Sequence, residues 1–551
     1  MSVSVRALLA GLLVSAGLLG LYTTAGRQPP SAGDSITAAD LQREVAFLAS
    51  DEMRGRLTDT PGNRRAARHI EDRFEAFGLR AVGEGSSYRH PVELLTAVLG
   101  AGNTLRLHAG GETETAASPR DFFPAPFSGS AEAAGPVVFA GFGIVAPDLG
   151  RDDYRDADVA GKVVLVLDHE PGEFDPDSPF AGVVASERGR ALRKALEAQR
   201  RGAVAVAIVD DVHNHARRWS LPDLAARAWP RRPPRIPPYQ LAAWIRQVRI
   251  PAVRISVELA GRLLAPAGYT LRELALRAET PGGAAPVEIQ DARLEVATSV
   301  RHDLTAVDNV VGLIEGADPG LRHEWLIICA HYDHEGANAA GIFNGADDDA
   351  SGVAGLLEIA EAYALARDAG ARPRRSILLA AWNAEEQGLL GAWAYTEQPL
   401  APLGDTVAVL NMDMIGRSEE VPPGGGYRFA GLPPQTAESN RNAVNIIGHS
   451  FSDGLRAATA AANRHARLDL RFRYDNNRSN LLRRSDQWPF LFHRVPAIFV
   501  HTGLHPDYHT QRDRPDTLEY DKMARVVRLV YDLSWDLAQG GDRPTFDRPA
   551  P

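Results

Sequence analysis

Apolar residues recur at helical spacing near the start of the chain. One such stripe begins after Thr37, a residue suited to cap a helix, and continues through Leu48. A second stripe predicts a helix over residues 62–77, and Gly78 is suited to end it. Residues 50–56 between them are mostly charged or polar and are predicted to form a loop.

The C-terminal half alternates short apolar runs with longer helical patterns. Strands are predicted at residues 309–314, 325–330, 376–382, 407–412 and 497–501. Helices are predicted at residues 350–369, 388–397, 449–463 and 521–539. This alternation is typical of an α/β fold, which we expect to have three layers, with a mixed, mostly parallel sheet flanked by helices. Ligands of such sheets gather at the carboxyl ends of the strands.

The middle of the chain has a different pattern. Short β-rich runs lie at residues 136–140, 162–167, 203–209 and 250–255. A basic amphipathic helix is predicted over residues 187–201, with its Arg and Lys side chains in solvent, and the Arg- and Pro-rich residues 230–238 are predicted to form a surface loop. We therefore expect a β-rich module over residues 120–270, inserted into a discontinuous larger domain over residues 36–115 and 285–540.

Residues 1–30 resemble a secretory signal followed by a linker. Arg6 precedes an apolar run over residues 7–22, and small residues suited to cleavage follow at 23–25. The run has about 16 residues, which is short for a membrane-spanning helix. We expect an exported protein, periplasmic or extracellular, without stable membrane insertion after cleavage. An uncleaved N-terminal anchor is the alternative.

Composition narrows the chemistry. The 551 residues are 44% hydrophobic and 24% charged, which is typical of globular proteins. The formal charge of −10 provides no net basic field for nucleic acid. The single cysteine, Cys329, excludes an intrachain disulfide framework, a cysteine zinc ribbon and an iron–sulfur cluster. Any metal ion must therefore be held by His, Asp or Glu.

Side chains that bind metals follow the predicted strands or precede the first helix of the C-terminal half. The segments, in chain order, are His331-Tyr332-Asp333-His334, Asn344-Gly345-Ala346-Asp347-Asp348-Asp349, Glu385-Glu386, Asp413, and His505-Pro506-Asp507-Tyr508-His509. Imidazole and carboxylate groups suit Zn²⁺ and its neighbours. Two His with three carboxylates can hold two ions if one carboxylate bridges them. A further carboxylate is needed to accept a proton from water, and the doublet Glu385-Glu386 offers one for each task.

These segments resemble the signatures of the M28 family of zinc aminopeptidases. The matching motifs are HYDH, NGADDDASG, AWNAEEQGLLG, NMDMIG and GLHPDYHT. The resemblance covers roughly residues 40–115 and 290–540 and implies the zinc-exopeptidase fold, which is also called phosphorylase/hydrolase-like. In its position along the chain and its β-rich pattern, the module at 120–270 resembles the protease-associated domain that many such enzymes carry.

The resemblance implies a role for each matching residue. His331 and Asp413 would bind one zinc ion, Glu386 and His509 would bind a second, and Asp348 would bridge them. Glu385 would be the general base, Asp333 would orient His331, and Tyr508 is a candidate donor to the oxyanion. The family pattern also makes the Asp348–Asp349 peptide bond a candidate for the cis form.

The implied function is an exported dizinc exopeptidase that releases N-terminal amino acids from peptides or proteins. A carboxypeptidase, a glutaminyl-cyclase-like enzyme with one zinc ion, and a non-catalytic binding protein remain alternatives. The inserted module is expected to bias substrate access or to bind a partner. His334 is expected to shape the pocket, and an Arg-rich stretch at residues 471–484 either walls the pocket or is solvated.

Overall fold

The structure is a computed structural model that describes residues 33–215 and 219–551. The predicted signal over residues 1–30 lies outside the described residues. Within the described residues, the structure has no helix that is both long enough and apolar enough to cross a membrane.

The helices agree closely with the sequence pattern in the larger domain. The α-helices are α1 (Ala38–Leu48), α2 (Pro61–Ala76), α3 (Ala191–Arg200), α4 (Leu221–Ala228), α5 (Ala242–Ile245), α6 (Val257–Leu264), α7 (Leu271–Ala278), α8 (Gly352–Asp368), α9 (Leu390–Glu397), α10 (Asp453–Ala466), α11 (Gln487–Phe492) and α12 (Tyr520–Ala538). The predicted cap is present at α1, where the Thr37 hydroxyl accepts a hydrogen bond from Asp40 N–H. Gly78 follows α2 with a positive φ of 69°, as expected for a residue that ends a helix.

The strands include the five predicted in the C-terminal half. The strands are β1 (Arg80–Ala81), β2 (Arg89–Leu99), β3 (Thr104–Ala109), β4 (Glu112–Thr115), β5 (Phe122–Pro124), β6 (Ala131–Phe139), β7 (Val145–Ala146), β8 (Arg151–Asp152), β9 (Val163–Leu167), β10 (Ala205–Val209), β11 (Gln240–Leu241), β12 (Ala252–Ile255), β13 (Val287–Thr298), β14 (Val300–Ile314), β15 (Trp325–His331), β16 (Ala337–Asn338), β17 (Gly341–Ile342), β18 (Ser376–Trp382), β19 (Thr406–Met412), β20 (Ala443–Ile447), β21 (Asp469–Arg471) and β22 (Ala497–His501).

The larger sheet has the strand order β11-β2-β14-β18-β15-β19-β22-β20-β21, and β1 also pairs with β14. Its four central strands, β18, β15, β19 and β22, are parallel. The pairs of β2 with β14, β14 with β18 and β20 with β22 are antiparallel. The predicted mixed α/β class is confirmed, and the parallel pairs lie at the centre of the sheet and at its β20–β21 edge.

Helices cover both faces of this sheet. On β15, Leu326, Ile328 and Ala330 face the core shared with α1, α2, α8, α10 and α12. Ile327 and Cys329 face the opposite core, which includes residues of α9 and α11. Because alternate strand residues point to opposite faces, one continuous apolar run serves both cores, and the result is the expected three-layer architecture.

A second sheet has the order β4-β3-β13-β6-β9-β10-β12-β5. Its strands β6, β9, β10 and β12 are parallel neighbours. The second sheet also takes β3, β4 and β13, so it extends beyond residues 120–270 on both sides. The short strand β11 lies within 120–270 but pairs with β2 of the larger sheet. The two sheets are therefore joined along the chain at several places.

Two local features differ from what the sequence pattern suggests. Residues 51–56, predicted to form a charged loop, form tight 3₁₀ turns, and Arg56 is fully buried. The helix α3 is not fully solvated on its basic face, because Lys194 is buried and its ammonium donates to the carbonyl oxygens of Leu167 (2.7 Å) and His169 (2.5 Å). In both cases, buried carbonyl groups need donors, and a long cationic side chain supplies them.

Candidate metal centre

The predicted ligands converge at one edge of the larger sheet. His331 is the last residue of β15, Asp413 directly follows β19, and Glu385 and Glu386 lie just beyond the end of β18. These strands are parallel neighbours, so their carboxyl ends meet at the same edge. Asp348 reaches this edge from the π-helical turn Ala346–Ser351 that precedes α8.

One group of ligand atoms surrounds His331. Its Nε2 atom lies 3.2 Å from Asp348 Oδ1, 3.8 Å from Asp413 Oδ1 and 3.8 Å from Glu385 Oε2. His331, Glu385 and Asp413 place one ligand atom each within 4.8 Å of the others. All of these side chains are buried.

A second group surrounds His509. Its Nε2 atom lies 2.9 Å from Asp348 Oδ2 and 3.3 Å from Glu386 Oε2. Asp348 therefore turns one carboxylate oxygen to His331 and the other to His509. This arrangement suits a carboxylate that is shared between two ions.

Bound zinc ions explain the arrangement of the ligand atoms better than hydrogen bonds among the side chains do. The buried atoms His331 Nε2, Asp348 Oδ2 and Glu386 Oε1 have no hydrogen-bond partner, although nitrogen and oxygen atoms lie close together. Buried nitrogen and oxygen atoms that lie close together without hydrogen bonds are satisfied when a cation binds between them. Imidazole and carboxylate donors of this number are suited to Zn²⁺. Burial alone would lower the pKa of His331, but Glu385 and the other carboxylates hold it well above its usual value.

Asp333 contacts both the loop after β18 and His331. Its carboxylate accepts hydrogen bonds from the backbone N–H groups of Glu385 (3.0 Å) and Glu386 (3.4 Å) and from the Thr58 hydroxyl (3.2 Å). The His331 Nδ1 atom lies 3.2 Å from the main-chain oxygen of Asp333 and 3.7 Å from its carboxylate. Asp333 thus positions the Glu385–Glu386 loop with its side chain and contacts His331 mainly with its carbonyl group.

The loop that carries Asp348 is fixed by its own neighbours. The Asp348–Asp349 peptide bond is cis, as predicted. The Asp513 carboxylate accepts hydrogen bonds from Asp347 N–H (2.9 Å) and Asp348 N–H (3.1 Å). The Asp349 carboxylate accepts from His331 N–H (3.2 Å) and Gly352 N–H (2.8 Å). Asp348 is therefore held on both sides and is free to turn its side chain to the ligand cluster.

Buried Arg56 holds the loops that carry the ligands by donating hydrogen bonds to their carbonyl groups. Its guanidinium donates to the carbonyl oxygens of Leu48 (2.7 Å), Tyr332 (3.0 Å), Asn344 (2.8 Å) and Gly345 (2.9 Å). Tyr332 belongs to the loop after β15, and Asn344 and Gly345 belong to the loop before α8. One side chain thus ties together the two loops that deliver His331 and Asp348.

Glu335 and Arg235 also belong to the centre, although the sequence pattern did not predict them. Glu335 Oε1 lies 3.3 Å from His509 Nδ1. Arg235 comes from the stretch predicted to be a surface loop, and it donates to the Glu335 carboxylate (2.8 Å) and to the Glu335 carbonyl oxygen (2.7 Å). The position of Glu335 directly after HYDH is a usable signal, whereas nothing in the sequence pairs Arg235 with it.

Other His residues near the centre contact acidic residues, through either the carboxylate or the main-chain carbonyl group. His334 Nδ1 lies 2.7 Å from Glu386 Oε1, so this side chain, expected to shape the pocket, lies within ligand distance. His505 Nε2 lies 3.2 Å from Asp347 Oδ2, and His501 Nδ1 lies 3.1 Å from the Asp413 carbonyl oxygen.

Further side chains contact Asp413 and His509 and line the metal centre. The Ser485 hydroxyl donates to Asp413 Oδ2 (2.5 Å), which gives the Ser485-Asp486 pair a contact with the ligand set. Both carboxylate oxygens of buried Asp486 lack a hydrogen-bond partner, and burial raises its pKa. The ring of Tyr508 stacks on the ring of His509 with centroids 3.8 Å apart, which orients the imidazole.

Comparisons with known proteins find a family match and similar structures. The sequence model of Peptidase family M28 matches residues 309–534, which include His331, Asp348, the Glu385–Glu386 doublet, Asp413 and His509. The solved structure of an aminopeptidase from Aneurinibacillus sp. strain AM-1 is 19% identical, covers 94% of this chain and 97% of its own, and has a TM-score of 0.45.

Curated relatives match over shorter stretches. A probable glutamate carboxypeptidase, AMP1 of Arabidopsis thaliana, is 33% identical over 38% of this chain and 27% of its own length. A probable zinc metalloprotease of Pyrenophora tritici-repentis is 29% identical over 49% of this chain and 60% of its own length. Aminopeptidase NAALADL1 of Mus musculus is 35% identical over 28% of this chain and 19% of its own length. The chain thus spans less than two thirds of each of these relatives, and over residues 309–534 it carries a domain of Peptidase family M28.

Proposed function

We propose that this protein is a metallo-aminopeptidase that uses two zinc ions. The observation that carries the proposal is the position of Asp348, whose two carboxylate oxygens lie 3.2 Å from His331 Nε2 and 2.9 Å from His509 Nε2. His331 with Asp413 and His509 with Glu386 are then the ligands on either side of the shared carboxylate. The family match and the names of the relatives, which include a zinc metalloprotease and an aminopeptidase, support the same reading.

The ions would polarise the peptide carbonyl and make a water molecule more acidic. Glu385, whose Oε2 lies 3.8 Å from His331 Nε2, takes the proton from the attacking water and returns it to the nitrogen of the leaving amine. The Asp333 carboxylate holds Glu385 for this task through the Glu385 N–H group. Tyr508 stacks on His509, and its phenol is a candidate donor to the oxyanion.

Recognition of a free amine is favoured over recognition of a carboxylate. In the Arg-rich stretch, Arg473 is paired with Glu419, and Arg483 is paired with Glu187. These two guanidinium groups already have carboxylate partners within the protein. Glu385 is not one of the five proposed zinc ligands, so its carboxylate is available to accept a substrate amine. A carboxypeptidase is the second candidate, because one relative carries that name.

Replacing Glu385 tests the catalytic role. We expect Glu385→Gln to lower turnover of amino-acyl anilides by about 10²–10⁴-fold, as is typical when a general base is lost, with bound zinc retained. The exposed Glu315 provides a matched control, and Glu315→Gln should leave turnover unchanged. A Glu385→Gln enzyme with full activity would disprove the assignment.

Substrate class and metal content test the rest. Peptides with a free N-terminus should be cleaved, and N-blocked peptides should not. Cleavage of N-blocked peptides alone would favour the carboxypeptidase, and cyclisation of N-terminal glutamine would favour the cyclase. Fewer than two zinc ions at the centre after reconstitution would contradict the dinuclear site, and a folded, metal-loaded protein that cleaves nothing would favour a binding protein.

A further inference from the structure

A second cluster of His and carboxylate side chains lies in the module of the second sheet. It contains His169, Glu173, Asp211, His213, His215 and Glu279, and we call it the insert cluster. His169 follows β9 by two residues, and Asp211 follows β10 by two residues. Because β9 and β10 are parallel and pair Leu167 with Val209, their carboxyl ends lie side by side.

The first half of the insert cluster places two imidazoles on one carboxylate. His169 Nδ1 lies 3.0 Å from Glu173 Oε2, and His215 Nε2 contacts the other oxygen, Glu173 Oε1. The two imidazole rings lie with their centroids 4.3 Å apart. The three ligand atoms all lie within 4.8 Å of one another, which is close enough for one ion to touch them all.

The second half resembles a ligand with its supporting carboxylate. The Asp211 carboxylate accepts from His213 Nδ1 (2.6 Å), which leaves His213 Nε2 to face Glu279 Oε1 at 2.9 Å. A carboxylate behind an imidazole fixes the ring orientation of metal-binding His residues. Gly172 N–H donates to Glu279 Oε2 (3.0 Å), so the two halves adjoin.

Unpaired buried atoms distinguish this cluster from ordinary ion pairs. His215 Nε2, Glu173 Oε1 and Glu279 Oε1 are buried without a hydrogen-bond partner, although nitrogen and oxygen atoms lie close together. The same property marks His331 Nε2 and Asp348 Oδ2 at the metal centre. Asp211 is fully buried, and its Oδ2 atom also lacks a partner.

We propose that the insert cluster is a further metal site, which binds a divalent transition-metal ion of the zinc class through His169, Glu173 and His215. Two imidazoles and a carboxylate favour Zn²⁺ and its neighbours over Ca²⁺ or Mg²⁺, which prefer oxygen ligands. Asp211, His213 and Glu279 form a second group of possible ligand atoms beside these three residues. The buried ammonium of Lys194 fixes the backbone at His169 by donating to its carbonyl oxygen.

The ion would join loops that lead to the metal centre of the larger domain. Residues 170–190, which we call the connecting segment, begin beside His169. Within it, Val183 N–H donates to Asn476 Oδ1 (2.9 Å), and Glu187 accepts from Trp488 Nε1 (3.0 Å). Trp488 belongs to α11, which begins two residues after Ser485, the donor to Asp413. The site is therefore placed to hold the segment that backs the wall of the metal centre.

Titration of the full chain with Zn²⁺ alone, after removal of metal by a chelator, tests the proposal. We expect His169→Gln/His215→Gln to bind one tight ion fewer than the wild type. His108→Gln is the matched control, because His108 is an imidazole of the same module that lies 3.3 Å from the Glu295 carboxylate. It should bind as many ions as the wild type.

Measuring the zinc content of the same variants in a protein with an altered metal centre makes the result independent of that centre. In Asp348→Asn, adding His169→Gln/His215→Gln should again remove one ion, whatever the count left at the metal centre. Glu173→Gln keeps both rings and the side-chain shape, and it gives the same test if the double variant does not fold. Equal zinc content in Glu173→Gln and the wild type, or in both backgrounds with and without the double change, would overturn the proposal.

Discussion

The metal centre and the insert cluster occupy equivalent places in two sheets. Each lies where neighbouring parallel strands end, β15, β18 and β19 in one case and β9 and β10 in the other. They differ in depth. The side chains of His331 and Asp348 are 1% and 4% exposed, whereas those of His169 and His215 are 41% and 17% exposed.

The difference lies in the support behind the ligands. At the metal centre, the carboxylates of Asp333, Asp349 and Asp513 hold backbone N–H groups, and Arg56 ties the loops together. In the insert cluster, Asp211 and the Lys194 ammonium are the supports that are buried. Parallel strand ends gather ligands in both places, but a catalytic position also needs side chains held in one geometry by neighbours. We therefore expect chemistry at the first site and a structural ion at the second.

The largest expected effect separates the two sites. Asp348→Asn should lower turnover by about 10²–10⁴-fold or more, because both proposed zinc positions share this carboxylate. The zinc bound by the insert cluster should be unaffected. Steady-state assays and metal analysis check both statements, with Asp516→Asn, an exposed carboxylate in the same domain, as the control. Loss of zinc from both sites together would mean that they are not independent.

The next largest expected effect is a loss of folding stability when Arg56 is replaced. Arg56→Met leaves four buried carbonyl groups without their donor, and each unsatisfied acceptor costs about 1–3 kcal/mol. We expect the free energy of unfolding to fall by at least about 3 kcal/mol in denaturant titration. Arg54→Met, which changes an exposed Arg two residues earlier, should change it by less than about 0.5 kcal/mol. Similar values for the two variants would contradict the role of Arg56.

The connecting segment should respond to pH. Burial raises the pKa of Glu170 from 4.5 to about 7, although the Ser186 hydroxyl and N–H donate to its carboxylate. Its contribution to stability is therefore present below about pH 4.5 and is lost as the pH rises through about 7. Glu170→Gln should match the wild type near pH 4.5 and exceed it by up to about 3 kcal/mol above pH 8. A difference that is constant with pH in thermal unfolding would contradict this.

The smallest effect concerns the link between the module and His509. Glu335→Gln and Arg235→Met should each weaken zinc binding at the His509 position by about 10–100-fold, because Glu335 faces His509 Nδ1 and Arg235 holds Glu335. Arg232→Met, which changes an exposed Arg of the same stretch, is the control. Competition with a chelator of known affinity measures the change, and equal affinities for all three variants would exclude the link.

Much of this protein could be read from local pattern. The helices α1 and α2 and the five predicted strands of the C-terminal half follow from apolar spacing and caps, which act over a few residues. The ligands could be named because each stands beside the end or start of such an element. Contacts between distant parts of the chain could not be predicted from local pattern. They include the contact of Arg235 with Glu335, the burial of Arg56 and Lys194, and the approach of His169 to His215.

The sequence by itself determined the chemical type of the centre, since one Cys and the strand-end His, Asp and Glu leave nitrogen and oxygen as ligands. It also determined the α/β class, because short continuous apolar runs alternate with segments of 3.6-residue period. The tertiary structure decided which carboxylate does which task. Asp333 accepts backbone N–H groups, whereas Asp348 turns its carboxylate to two imidazoles. That choice depends on which loops meet at the sheet edge, and it is fixed by packing rather than by spacing along the chain.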